Sequence, residues 1–182
     1  MKAAVFEAIG QPIKFYDDID IIEPRAGEVR VKVSYCSVCH SDLSVVDGTL
    51  PAFGHVILGH EASGIVESVG AGVSRLKVGD HVVLTPVPPC GTCYFCIRGE
   101  TTLCANNISL YTSALADGNI GLSRNGAVIY RGLGVGAFAE YVVTQENGAV
   151  KIAPDVPLEL ACLMGCALQT GIGSVLNTAK VE

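Results

Sequence analysis

Cys90, Cys93, Cys96 and Cys104 fall within fifteen residues in the spacing C-x2-C-x2-C-x7-C. A segment this short, interrupted by Gly91 and Gly99, cannot enclose an apolar core of its own. It can bring four sulfurs to the corners of a tetrahedron. Zn2+ favours that arrangement, because thiolates are soft donors and a d10 ion imposes no other geometry. The competing arrangement is two disulfides, which would suit a small secreted protein. Met1-Lys2-Ala3-Ala4-Val5 leads directly into alternating, strand-like sequence without the apolar stretch of an export signal. The cluster therefore reads as a structural zinc site.

The chain has 182 residues, 49% of them hydrophobic and 16% charged, enough for one sizeable core or for one domain plus part of another. It contains no run of eighteen apolar residues, and no membrane span is expected. Twelve Lys and Arg stand against eighteen Asp and Glu, a net charge of −6. An acidic chain without a basic stripe is a poor partner for nucleic acid or an anionic membrane. Cysteines that hold metal as thiols point to a reducing, cytoplasmic setting.

The body reads as mainly β. Ala3–Phe6, Ile13–Tyr16, Glu28–Tyr35, Glu61–Val69 and His81–Leu84 carry Val, Ile and Tyr between turn signals such as Pro24-Arg25-Ala26-Gly27 and Val78-Gly79-Asp80. Strands resume at Ala127–Tyr130, Phe138–Thr144 and Ala149–Ile152. The first convincing helix comes late, over Leu158–Leu163 after Asp155 and Pro157. Gly165 interrupts it, and Thr170–Ala179 is expected to form the next.

A second metal site can be assembled from scattered residues. Cys39 stands in Cys36-Ser37-Val38-Cys39-His40-Ser41-Asp42, His60 in Gly59-His60-Glu61-Ala62-Ser63-Gly64, and Cys166 follows Met164-Gly165. Ligands from three separate elements that leave a fourth position open are typical of catalytic zinc. Spacing alone does not decide the matter, since a buried free cysteine is common and usually inert. His60-Glu61-Ala62-Ser63-Gly64 is not the H-E-x-x-H of metalloproteases, because Gly64 takes the second histidine's place.

Taken together, these motifs resemble the zinc-dependent medium-chain alcohol dehydrogenase family. The Cys39-His40-Ser41-Asp42 turn, the Gly59-His60-Glu61 stretch running to Gly70, the four-cysteine lobe, Gly136-Ala137-Phe138-Ala139-Glu140-Tyr141 and Gly165-Cys166 match in order. The resemblance covers essentially the whole chain. It implies a GroES-like catalytic domain over residues 1–156, a distorted antiparallel β-barrel with a structural zinc lobe at 88–106. Residues 157–182 would then be a helical segment leading toward a cofactor-binding domain. It also implies two zinc ions, one structural and one catalytic, the latter held by Cys39, His60 and Cys166. Cys36 and Cys162 match no ligand position and are expected to be packing residues.

The activity so implied is oxidation of a primary or secondary alcohol to an aldehyde or ketone, with hydride passing to NAD(P). Two thiolates and a neutral imidazole leave such a centre formally neutral, which argues for a proton relay, a role that falls by resemblance to Ser41. Glu61, beside a ligand, is a neighbouring carboxylate or a transient fourth ligand. His40 matches a basic position near the cofactor pyrophosphate, and Thr170 a threonine packing by the nicotinamide. Ser44 departs from members that carry a histidine there. His55 and His81 are expected to be structural or exposed, and Leu50 and Phe53 to belong to an apolar channel.

Gly132-Leu133-Gly134-Val135-Gly136-Ala137 satisfies G-x-G-x-x-G/A, but strand-like sequence follows it, with no room for a helix. It reads as a turn. No other glycine loop offers a dinucleotide fold, so the chain is expected to be a fragment of a longer dehydrogenase and inactive alone; the resemblance implies that the full-length protein is a homo-oligomer. The alternative from another class is a non-enzymatic zinc-binding interaction module. A lesser one is a redox-sensitive zinc store.

Overall fold

The computed structural model describes residues 1–107, 109–115 and 117–181; Ile108, Ala116 and Glu182, the last closing the expected helical segment, lie outside the described residues. The strands are β1 (Ala3–Phe6), β2 (Lys14–Tyr16), β3 (Asp20–Ile21), β4 (Glu28–Ser37), β5 (Val56–Ile57) and β6 (Glu61–Val69). They continue as β7 (His81–Leu84), β8 (Leu122–Arg124), β9 (Ala127–Val128), β10 (Tyr130–Arg131), β11 (Tyr141–Gln145) and β12 (Ala149–Lys151). Among the described residues five short α-helices accompany them: α1 (His40–Val46), α2 (Tyr94–Ile97), α3 (Ser109–Thr112), α4 (Leu158–Ala161) and α5 (Ala167–Gly173).

The fold is mainly β, as expected. A five-stranded sheet runs β11-β4-β6-β7-β12, a four-stranded one β10-β5-β1-β2, and a three-stranded one β3-β8-β9. Every pairing among the described strands is antiparallel except β5 with β10, which is parallel. The long pair β4–β6 is the spine of the larger sheet. Val29 and Val31 alternate with the less buried Arg30 and Lys32, so one face of β4 enters the core. There they meet Ala62, Val66, Val82, Leu84 and Val142. A second cluster, around Val5, Ile19, Ile57 and Ile129, lies under the smaller sheets.

Register along this spine sets the position of the site. Ser37, the last residue of β4, stands directly opposite Glu61, the first of β6. The chain therefore delivers Cys39 two residues beyond one strand end and His60 one residue before the adjoining strand start. The C-terminal helices dock on the same end through Ser63 Oγ, which donates to Leu158 O at 2.6 Å.

Several expectations need correction. Helix α1 precedes the late helices, although no helix was expected there. Seven residues are too few for a 3.6-residue pattern, and only Asp42 and Val45 are buried. The expected strand at 138–144 begins at Tyr141, with Ala139 in an isolated bridge to Ala3. The expected strand at 127–130 divides at Ile129 into β9 and β10. Helix α4 tightens after Ala161 into a 3-10 turn over Cys162–Gly165. Helix α5 starts three residues earlier than expected and passes into π-helical turns at Ser174–Ala179. Gly132–Gly134 is a short 3-10 turn with no helix after it, as read from the sequence. No single helix among the described residues is long and apolar enough to cross a membrane.

Candidate metal centre

Cys39 occupies the residue before helix α1 and is fixed from both sides by Asp42. The Cys39 amide donates to Asp42 Oδ2 at 3.1 Å, and the Asp42 amide donates to Cys39 O at 3.1 Å. The first of these is the return bond of a capping box, with cysteine in the usual serine or threonine place, and the second closes the first turn through the Cys39 carbonyl. The other carboxylate oxygen of Asp42 accepts the Gly59 amide at 2.9 Å and lies 3.3 Å from His60 Nδ1. With Nδ1–H donating to the carboxylate, Nε2 keeps its lone pair for a metal.

Two glycines make this approach possible. Gly59 has φ +88°, and a Cβ there would stand 2.6 Å from the Phe138 ring, 2.8 Å from its amide nitrogen and 2.9 Å from Cys36 Sγ. At Gly165 a Cβ would meet Leu84 O at 2.9 Å and His60 O at 3.1 Å. The turn carrying Cys166 therefore lies directly against the backbone carrying His60.

One ligand atom from each of Cys39, His60, Glu61 and Cys166 falls within 4.8 Å of all the others. Glu61 is buried; its Oε1 accepts the Ala167 amide at 2.7 Å and its Oε2 accepts the Ser37 hydroxyl at 2.5 Å. Burial pushes the Cys39 thiol up, but hydrogen bonds from Ser41 and the adjacent His60 outweigh it, and the net shift is downward. At His60 burial opposes the imidazolium, yet Asp42 and Cys39 overcome it and raise the pKa. Cys166 is raised, first by burial and then by the nearby Cys39 sulfur. Crowded donors with opposed shifts are what a cation would reconcile.

The second cluster is the cysteine lobe, whose four sulfurs also lie within 4.8 Å of one another. Cys90 and Cys96 Sγ are 3.9 Å apart, as are Cys93 and Cys104 Sγ. Four sulfurs about 2.3 Å from a tetrahedral ion stand about 3.8 Å apart, so the set fits zinc closely. All eight cysteines are free thiols. Cys90 receives the Cys93 amide at 3.4 Å and Asn106 Nδ2 at 3.4 Å. Its pKa falls to about 5, chiefly through the Thr92 backbone and hydroxyl and the Cys93 amide. Cys96 is pushed up to about 12 by desolvation and by its neighbouring sulfurs.

Ser41 Oγ lies 3.8 Å from Cys39 Sγ and lines a cavity of about 330 Å3. Its walls include Val45, Leu50, Phe53, Leu58, Leu110, Tyr111 and Leu133. A larger cleft of about 620 Å3 runs past Val83, Val150, Met164 and Gln169, and none of the four metal-site residues lines it. None of the four lines the smaller cavity either; it meets the site through Ser41, the neighbour of Cys39 Sγ. Thr170 Oγ1 stands 4.0 Å from Cys166 Sγ, on the exposed side of α5. His40 is exposed, its Nδ1 3.3 Å from Ser44 Oγ.

Of the remaining candidates, Cys36 packs against the larger core cluster and Cys162 is buried. His55 is exposed, and His81 is partly buried with Nδ1 unpartnered among the described residues. Asp42 and Ser37 were not singled out from sequence as site residues. Asp42 had a legible signal, an acid three residues after a ligand at a helix start. Ser37 had none, since its role comes from strand register.

Residues 25–155 match the alcohol dehydrogenase GroES-like domain family. The chain belongs to that family. It is 42% identical to the class-3 alcohol dehydrogenase of Drosophila melanogaster over 183 aligned residues, covering 100% of this chain and 48% of the relative. The class-3 enzyme of Caenorhabditis elegans is 43% identical, again with 100% of this chain and 47% of the relative covered. Among solved structures, an alcohol dehydrogenase zinc-binding domain protein from Burkholderia ambifaria superposes with TM-score 0.90 at 38% identity, covering 100% of this chain and 49% of that one. Benzyl alcohol dehydrogenase from Acinetobacter calcoaceticus gives TM-score 0.87 at 37% identity, with 99% and 48% covered. This alcohol dehydrogenase domain thus spans about half the length of the curated relatives it matches.

Proposed function

We propose that this chain is the metal-carrying catalytic domain of an alcohol dehydrogenase that oxidises an alcohol to an aldehyde or ketone, with NAD(P) as hydride acceptor. The observation that carries the proposal is the convergence of Cys39, His60 and Cys166 beside an apolar cavity whose inner wall includes Ser41. Cys39, His60 and Cys166 would hold one zinc ion, with Glu61 at hand as a further donor, and Cys90, Cys93, Cys96 and Cys104 a second. When bound at the first site, zinc supplies Lewis acidity that makes an alcohol proton easier to lose and polarises a carbonyl in the reverse direction.

The chain's own residues account for the rest. Asp42 holds the His60 tautomer and ring plane. The apolar walls seat the carbon skeleton of the substrate and exclude water from it. Ser41 stands where it can take the alcohol proton and pass it toward solvent. A nicotinamide, when bound, would supply the acceptor for the hydride released from the alcohol carbon. Thr170, exposed beside Cys166, and His40, exposed next to Cys39, would be the contacts offered to the cofactor. A lobe that holds its ion through thiolates would suit a reducing, cytoplasmic setting.

No parallel βαβ unit occurs among the described strands, so turnover is expected to require a cofactor-binding domain outside this chain. An interaction module has no use for a metal position whose neighbour Ser41 lines an apolar cavity, and the enzymatic reading is preferred. The test is metal analysis of the purified chain together with an NADH assay. Two zinc ions per chain are expected, and no turnover of ethanol or benzyl alcohol by the chain alone. A single zinc, released only on unfolding, would refute the catalytic centre, and steady NADH production would refute the need for a partner domain.

A further inference from the structure

Glu61 is 2% exposed amid three stronger metal donors. A carboxylate in that place has two options: it can join the metal and fill the fourth position, or stand back and leave it open. Two neutral donors hold its oxygens. One is the Ala167 amide at 2.7 Å, a backbone group that travels with the ligand Cys166. The other is the Ser37 hydroxyl at 2.5 Å, within the range of a charge-assisted O–H···O− bond. Ser37 and Glu61 are direct partners across β4 and β6, so the hydroxyl is delivered by strand register rather than by a mobile loop.

We propose that Ser37 is a positioning residue that latches Glu61 away from the metal, keeping the fourth position free for an exogenous oxygen or nitrogen donor. The inference rests on the metal-centre reading given above. Without the hydroxyl, Oε2 loses its side-chain donor in a buried site, and the metal is the strongest remaining attraction for it. The carboxylate then moves onto the metal and competes with any incoming ligand. Threonine keeps the hydroxyl at the same register and preserves the latch.

The experiment replaces zinc with Co2+ and titrates the chain with azide, following visible absorption. The four-cysteine lobe has no vacant position, so azide-sensitive bands report on the Cys39, His60 and Cys166 site alone. Ser37→Ala is expected to weaken azide binding about tenfold, at the lower end of the ~10–100-fold effects of altering a residue behind a metal ligand. Its azide-free cobalt bands should also shift, as a carboxylate oxygen takes the position of the exogenous donor. Ser37→Thr should restore both, and Glu61→Ala added to Ser37→Ala should restore azide affinity. Azide binding left unchanged by Ser37→Ala overturns the latch and leaves the metal centre standing. A parent chain without azide-sensitive cobalt overturns the metal centre, and the latch with it. Should Ser37→Ala not fold, Glu61→Gln carries the test: azide affinity must hold or rise, and a tenfold fall counts against the proposal.

Discussion

Asp42 Oδ1 lies 3.3 Å from His60 Nδ1 and accepts the Gly59 amide at 2.9 Å, so one carboxylate orients both the imidazole and the turn that carries it. Its second oxygen fixes the Cys39 amide at 3.1 Å. Two ligands separated by twenty residues thus share a single support. Asp42→Asn retains the shape but gives up the charge, and zinc affinity at this site should fall about 10–100-fold. Competition with a chromophoric chelator measures it; an affinity equal to the parent's would show that Asp42 serves only as a helix cap.

The lobe should show a distinct pH signature once its metal is removed. Cys90 is lowered from 9.0 to about 5, whereas Cys96 is raised to about 12. Between pH 5 and 9 the folded metal-free lobe holds Cys90 as thiolate while the unfolded chain still carries the proton. That contribution to stability is therefore full above 9.0 and is lost as pH falls through about 5. Alkylation at neutral pH, mapped by mass spectrometry, should mark Cys90 well before Cys96. Equal labelling of the two would contradict the assignment.

Gly59→Ala tests the close approach beneath His60. The substitution places a Cβ at positive φ, 2.8 Å from the Phe138 amide nitrogen. A strained backbone position costs roughly 1–3 kcal/mol, and the overlap adds to it. Urea unfolding should show at least that loss, and the first-site metal should leave more readily than the lobe metal. A chain as stable as the parent would mean that the Gly59 turn relaxes freely.

Phe53 forms part of the cavity wall, its ring centroid 6.0 Å from that of Tyr130. An aromatic contact with a substrate ring contributes about 0.5–1.5 kcal/mol. Phe53→Ala should therefore weaken benzyl alcohol about 3–10-fold while leaving ethanol nearly unchanged, both read as displacement of azide from the cobalt-loaded chain. Loss of both alcohols to the same degree would place the substrate elsewhere.

The strand-rich body was legible because alternating valines in β4, at Val29, Val31 and Val33, have the period of two that a half-buried sheet requires. The lobe was legible because all of its donors are local. The first-site ligands were not derivable from spacing, since Cys39, His60 and Cys166 come together only through tertiary closure; resemblance supplied them. Helix α1 escaped notice because its cap is a cysteine and its apolar face is little more than Val45. Tyr111 reaches the cavity from α3, more than fifty residues beyond Phe53, and no periodic pattern announces such a contact. Ser37 opposes Glu61 because the β4–β6 ladder shifts register between Arg30 and Val31 and shifts back between Val33 and Tyr35, and no reading of hydrophobic pattern fixes which residues of two distant strands pair.

The cysteine lobe closes over fifteen residues, whereas the other donor set spans Cys39 to Cys166. Loop closure over so different a range separates the two in time. On a growing polypeptide the lobe is complete and competent for its ion while Cys166 is still to be made. The distant sulfur is made last, after every strand of the sheets that carry the other donors. Metal uptake at that position consequently reports that the whole domain has assembled, and uptake at the lobe reports only that its own short loop has formed.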